Sequence, residues 1–142
     1  MPSTLYTRDI LRLAASIPCV GRLDHPQGSA ERRSPLCGSR VSVDVVLDRE
    51  GRVVELGQEV SACAFGQASA ALLGGHAIGR TSAEIAEGRD ALRAWLSGER
   101  EDCGRWPGLD LLAPARPFPA RHGSILLAFE AAAEAAARAE VA

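Results

Sequence analysis

The sequence predicts an α+β fold, a small antiparallel sheet with helices packed on one face, and three observations predict it. Residues 40 to 48, RVSVDVVLD, alternate: Val41, Val43, Val45 and Leu47 share one side, Ser42 and Asp44 the other. That is the period of a half-buried strand. DREG and then RVVELGQEVSA follow, a turn in which Gly51 can take positive φ and a return strand. Segments of helical spacing flank this hairpin on both sides, and helix, hairpin, helices is the order of an α+β domain.

Each element has its own signal. In LYTRDILRLAASI, residues 5 to 17, Leu5, Ile10, Leu13, Ala14 and Ile17 fall on one helical face, and Pro18 stops the helix. Residues 18 to 39 carry recurrent Pro and Gly with no sustained period, so the expectation is a long loop, a feature often tied to function. On the return strand Val54, Leu56, Val60 and Ala62 share a parity that Gln58 interrupts. Small residues without proline predict a helix from Ala64 to about Ala77, ended by glycines. Thr81 and Glu84 have capping-box spacing, and Ile85, Leu92, Trp95 and Leu96 give the next helix its apolar side. Residues 97 to 121 read as a second long loop that Trp106 pins down, and HGSILLAFEAAAEAAARAEVA as the last helix.

The chain has 142 residues, enough for one domain, 1–142, with one core. Apolar residues make up 46% and aromatic ones 4%, so Ala, Val and Leu must fill that core. The formal net charge of -2 gives no electrostatic footprint for nucleic acid. The opening MPSTLYTRDILRLAAS lacks a basic start followed by an apolar run, so no signal peptide is expected. No apolar run approaches the roughly 18 to 20 residues of a membrane span. The expected location is a reducing cytoplasm, where disulfides are uncommon. Cys19, Cys37, Cys63 and Cys103 form no CxxC pair, so any joint site must be gathered by the fold.

Cys63 sits where the return strand ends and the small-residue helix begins. Unpaired N–H groups and the partial positive charge of a helix N-terminus favour thiolate there, the form that binds metal or attacks sulfur. Ala62, Ala64, Gly66 and Ala68 leave room for close approach. The plainer reading is an inert cysteine acting as a small hydrophobe. Cys37, in PLCGS before the first strand, becomes a neighbour of Cys63 if the hairpin is in register.

The order of LCGS, an alternating strand, a hairpin and ACAFGQASAALL resembles the NifU N-terminal/IscU/SufU iron–sulfur cluster assembly scaffold family, nearest its SufU branch. PCVGRLD is similar to that family's Asn-Pro-Arg-Asn-Val-Gly loop, and the 97–121 loop to the SufU insertion. The resemblance spans about residues 5 to 135. It implies a SufE/NifU-like fold, a transient iron–sulfur cluster or zinc as the bound group, and iron ion binding at Cys37 and Cys63. It also implies a cysteine desulfurase as sulfur donor, apo iron–sulfur proteins as recipients, and a scaffold or carrier rather than an enzyme. ARPFPARHG stands where the IscU branch has its Leu-Pro-Pro-Val-Lys chaperone-docking stretch, so that docking is not implied.

Two departures shorten the implied ligand set. The family aspartate after the first cysteine is Ser39 here, and the family's third cysteine aligns with Gly123. His122 matches the histidine preceding that cysteine, which leaves Cys37, Cys63 and His122, fewer than the four ligands of a closed zinc or cluster site. Cys103 swinging in, two protomers sharing a cluster as a homodimer, or a small thiol or partner protein would each complete the set; without one of them no stable cluster forms. Arg116 and Arg121 flank the site as candidates to lower a thiol pKa or to hold an acidic donor surface. Gln67 could hydrogen-bond the ligands. Cys19, His25 and His76 read as bystanders, and Trp95 as core. Two other readings use the same residues: a non-catalytic zinc module on Cys37, Cys63 and His122, and a Cys37/Cys63 redox pair, which needs Cα atoms within about 7 Å.

Overall fold

The computed structural model describes residues 6–35 and 38–141; Leu5 and Cys37, read above as a helical apolar position and a site residue, lie outside the described residues. In chain order the elements are α1 (Arg8–Ala15), β1 (Gly28–Arg33), β2 (Arg40–Leu47), β3 (Val53–Ser61), α2 (Ala64–His76), α3 (Ser82–Leu96), a 3-10 helix (Leu109–Ala115) and α4 (Pro119–Glu140). The sheet is antiparallel in the order β1-β2-β3. Helix α4 packs on β1 and β2, α2 and α3 pack on α4, and α1 lies on α2. The α+β fold expected from the sequence is the fold observed.

The hairpin forms as its pattern predicts. Val41, Val43 and Val45 are fully buried against the helices. At the turn, Asp48 Oδ1 accepts from the amides of Glu50 at 2.8 Å and Arg52 at 3.0 Å, and Gly51 takes φ +80°, the region a glycine enters without strain. The opposite face of β2 is covered too. Asp44 is 1% exposed. It accepts from Arg22 Nε at 2.8 Å, Arg22 Nη2 at 3.0 Å, Leu23 N at 3.0 Å and Ser29 Oγ at 2.7 Å. Burial raises this carboxyl, and the hydrogen bonds outweigh it and hold it below its ordinary range. The carboxylate thereby ties the 22–23 segment and β1 to the middle of the sheet.

Strand β1 falls inside the stretch expected to be loop. Its sequence, GSAERR, has no bulky apolar residue. The reason is the closeness of α4: a Cβ on Gly28 would strike the Ala135 carbonyl oxygen and come 2.7 Å from Ala139 N. Only small residues fit the inward face of this strand, so it carries no hydrophobic alternation to read. Gln58, which breaks the parity of β3, is buried for a purpose. Its Nε2 donates to Pro18 O at 3.2 Å and Ala70 O at 3.0 Å, joining sheet, loop and α2. The outer edge of β3 is covered by Cys19 and Gly21, which exchange backbone hydrogen bonds with Gln58 at 2.8 Å, a protection exposed strand edges need.

The helices follow their signals. Thr81 and Glu84 form the reciprocal capping box. Residues 97 to 121 are less of a loop than expected: they hold the 3-10 helix, and Pro119 opens α4, a position where its missing N–H costs nothing. Trp106 anchors the segment, donating Nε1–H to Leu72 O at 2.9 Å and meeting Phe129 edge-on at 5.1 Å. Trp95 is core, as expected. No helix among the described residues is long and apolar enough to cross a membrane.

Two outcomes follow from this packing. Gly28→Ala forces β1 off α4 and costs at least about 1–3 kcal/mol, read as a lower urea midpoint with unchanged slope. Asp44→Asn loses its charge-assisted hydrogen bonds and about 1–3 kcal/mol at neutral pH. Because the folded-state pKa of Asp44 is depressed, its contribution is present above the unfolded value of 3.8 and is lost as pH falls through the lower folded value. The stability gap between wild type and Asp44→Asn therefore narrows on acidification.

Candidate functional site

Cys63 is the N-cap of α2, with extended φ and ψ of -67° and 172°. Its carbonyl accepts the first helical bond, from Gln67 N at 2.9 Å, so its side chain stands over the open first turn. The sequence expectation of a thiol at a helix start is met. No side chain caps this turn, and its free amides are left for the sulfur.

Helix α4 supplies the other half of the site. Ser124 Oγ lies 3.5 Å from Cys63 Sγ and 3.1 Å from Ser39 Oγ. This contact exists because Gly66 lets the helices close in: a Cβ there would collide with Ser124 Oγ and with the Ala62 side chain. Ser69 adds a second tie, donating to Ile125 O at 2.6 Å. A hydroxyl has one proton and two lone pairs. With the thiol protonated, S–H donates to Ser124, which donates to Ser39. When the sulfur is charged, the Ser124 proton turns to it.

Burial raises the Cys63 thiol, but the donors outweigh it. Ser124, the amides of Gly66 and Phe65, and the Arg121 guanidinium bring the thiol below its ordinary value. Cys103 shows the opposite balance: burial and the Asp110 carboxylate push its thiol up. It is half-buried rather than exposed. Of the two flanking arginines, Arg116 is committed elsewhere. It stacks over Trp95 at 5.0 Å and donates to Trp95 O at 2.9 Å.

Beyond Cys63, the expected site residues divide. Gly38 and Ser39, which follow Cys37 in sequence, line one open hollow with Ser61, Ala62 and Cys63. Arg40 pairs with Ser61 in the β2–β3 register, so the start of β2 does lie beside the end of β3. Whether the Cys37 sulfur joins them falls outside the described residues. His122 Nε2 lies 3.0 Å from Ala115 O and 3.1 Å from Arg116 O, so this nitrogen carries the proton and Nδ1 is the one left with a lone pair. Gly123 is exposed, and a Cβ on it would meet Ser34 Oγ at 3.2 Å. Among the described residues no three His, Cys, Asp or Glu side chains are grouped to hold a metal ion. The donors around Cys63 are hydroxyls, amides and a guanidinium, groups that hold a negative charge rather than ligate a cation. Sequence reasoning missed Ser124; its signal, a serine three residues after Arg121 on the inward side of the last helix, is legible only once α4 is placed. Cys19, His25 and His76 are exposed.

Ser124→Ala removes the side-chain hydrogen bond to Cys63. The pH midpoint for iodoacetamide alkylation of the Cys63 peptide then moves up, so labelling slows at neutral pH and matches wild type at high pH. An unchanged midpoint would show that Ser124 does not act on the sulfur.

No family model matches the chain. The N-terminal part of a nitrogen-fixing NifU-like protein from Brucella abortus has a crystal structure 35% identical in sequence, covering 99% of this chain and 97% of that one, with a TM-score of 0.90. A putative iron–sulfur cluster assembly scaffold protein for the SUF system from Fervidobacterium islandicum AW-1 shares the fold at 20% identity, with 100% and 98% coverage and a TM-score of 0.84. The iron–sulfur cluster assembly scaffold protein IscU of Thermotoga maritima is 28% identical over 131 residues, 92% of each chain. With the 35% identical NifU-like relative matched along its whole length, and with the fold and thiol position described above, the chain belongs to the IscU/NifU-like scaffold family.

Proposed function

We propose that the protein is an iron–sulfur cluster assembly scaffold or sulfur carrier, which takes sulfur from a cysteine desulfurase at Cys63 and passes sulfur or cluster to apo iron–sulfur proteins. The observation that carries this reading is Cys63 at the N-cap of α2 with Ser124 Oγ 3.5 Å from its sulfur, surroundings that with the first-turn amides and Arg121 hold the thiol below its ordinary value. A nucleophilic thiolate needs such stabilisation, and a merely space-filling cysteine does not.

Cys37 and Cys63 are the thiols that would meet iron, with His122 as the third donor through Nδ1. The carbonyls on its Nε2 match the outer hydrogen bond that fixes a ligating imidazole. The set is short because Ser39 and Gly123 occupy two family ligand positions, so cluster cargo is held weakly on one chain. The test is anaerobic incubation with iron, cysteine and a cysteine desulfurase, followed by acid-labile sulfide and visible absorption. Wild type gains sulfide and an absorption band, Cys37→Ser loses both, and Gly123→Cys, with Ser34 giving way by a few tenths of an ångström, retains more of both through gel filtration. Stoichiometric zinc with no labile sulfide in wild type would overturn the reading.

A further inference from the structure

Arg121 has an arrangement that the short ligand set does not explain. It lies three residues before Ser124 on α4, so the two share a helical face. Its guanidinium carbon sits 5.9 Å over the Tyr6 ring. Tyr6 in turn packs against Phe65 with ring centroids 5.2 Å apart. Phe65 is fully buried in the first turn of α2, two residues after Cys63. A stack of three side chains thus runs from the helix that carries the thiol back to the cation beside it. Arg121 is half-buried, and among the described residues it forms no ion pair with a carboxylate; Arg80 and Arg116 share this and stack on Trp106 and Trp95, away from the thiol. The Tyr6 ring holds this guanidinium without neutralising it, so its charge remains available to an anion at the sulfur. Cys63 itself opens on the hollow that Gly38, Ser39, Ser61 and Ala62 also line, with no acidic side chain among those residues.

We propose that Arg121 is a positioning residue that favours negative charge just beyond the Cys63 sulfur, holding the outer sulfur of the persulfide that forms there. This rests on the sulfur-acceptance reading and adds its charge preference. In the transfer, the Cys63 thiolate attacks the terminal sulfur of a protein hydropersulfide. The Sγ–S bond forms and the donor S–S bond breaks, its electron pair leaving with the donor cysteine as thiolate. The proton on the transferred sulfur is lost to water. Cys63 then carries an anionic persulfide, and no oxidant or reductant is consumed. The added charge lies one S–S bond beyond Sγ, and a guanidinium, planar and weakly hydrated, suits so diffuse an anion better than a lysine ammonium does.

The test compares two disulfide reagents on the intact protein, dithiobis(nitrobenzoate), a dianion, and dithiodipyridine, which is neutral, with rates read from the Cys63 peptide by mass spectrometry. In Arg121→Gln the rate with the dianion falls relative to the neutral reagent by about tenfold at low ionic strength. Arg121→Lys restores most of the ratio, and exposed Cys19 shows no change. A general loss of thiolate or of packing slows both reagents alike, so the ratio isolates the charge. An unchanged ratio overturns the proposal. A second measurement needs no variant: in wild type the ratio falls as salt is raised, and a salt-independent ratio contradicts the proposal equally. Neither reagent involves iron or a desulfurase, so a negative result here strikes Arg121 and leaves sulfur acceptance standing, while failed sulfur acceptance leaves this ratio intact.

Discussion

The site depends on how closely two helices approach. Gly66 in α2 and Ser124 in α4 touch where any larger residue at position 66 would collide. That contact sets the depth of the first turn of α2 against α4, and it puts a hydroxyl on the Cys63 sulfur. The rest of the fold holds these two helices in place. Helix α4 lies flat on β1 because Gly28 and Ala30 keep that strand thin. Gln58 fastens α2 to β3 through Ala70 O. Asp44 fastens β1 and the 22–23 segment to β2. Three elements therefore meet at Cys63 from different directions: the start of β2, the N-terminus of α2 and the first turns of α4.

Apart from Cys63 itself, the side chains described at this meeting point are hydroxyls and a guanidinium, groups suited to holding an anion. The resemblance implied an aspartate at the place of Ser39 and a cysteine at that of Gly123; in the structure it is Ser124, the next residue, that meets Cys63 and Ser39. Hydroxyls at Ser39 and Ser124 bind iron poorly but donate readily to a charged sulfur. The guanidinium of Arg121 favours a negative charge on the Cys63 sulfur. Cys103, held in a half-buried place beside Asp110 with its thiol pushed up, does not share this character. Their surroundings thus push the two thiols in opposite directions.

Much of this was legible in the sequence, for physical reasons that can be named. The alternation from Val41 to Leu47, the Asp48–Gly51 turn and the Thr81/Glu84 cap each rest on a local rule, and each formed where expected. The thiol at the helix start was legible because strand and helix periods meet at Cys63. Strand β1 was hidden, since its inward residues are small to admit α4 and so carry no hydrophobic signal. The early start of α4 at Pro119 was hidden for a related reason, because a proline in the first turn reads as loop until the helix is seen. The contribution of Ser124, and the choice of Arg121 over Arg116, depend on contacts across 61 residues of chain and on which arginine has a tryptophan to stack upon. No local pattern encodes either.

The most direct measurement of the central claim is the mass of the Cys63 peptide after anaerobic exposure of the protein to a persulfide-loaded cysteine desulfurase without iron. The account predicts one added sulfur on the peptide that holds Cys63, removable by a thiol reductant, with Cys19 and Cys103 unmodified. Sulfur found on Cys19 or Cys103 in place of Cys63, or on no cysteine, would contradict it.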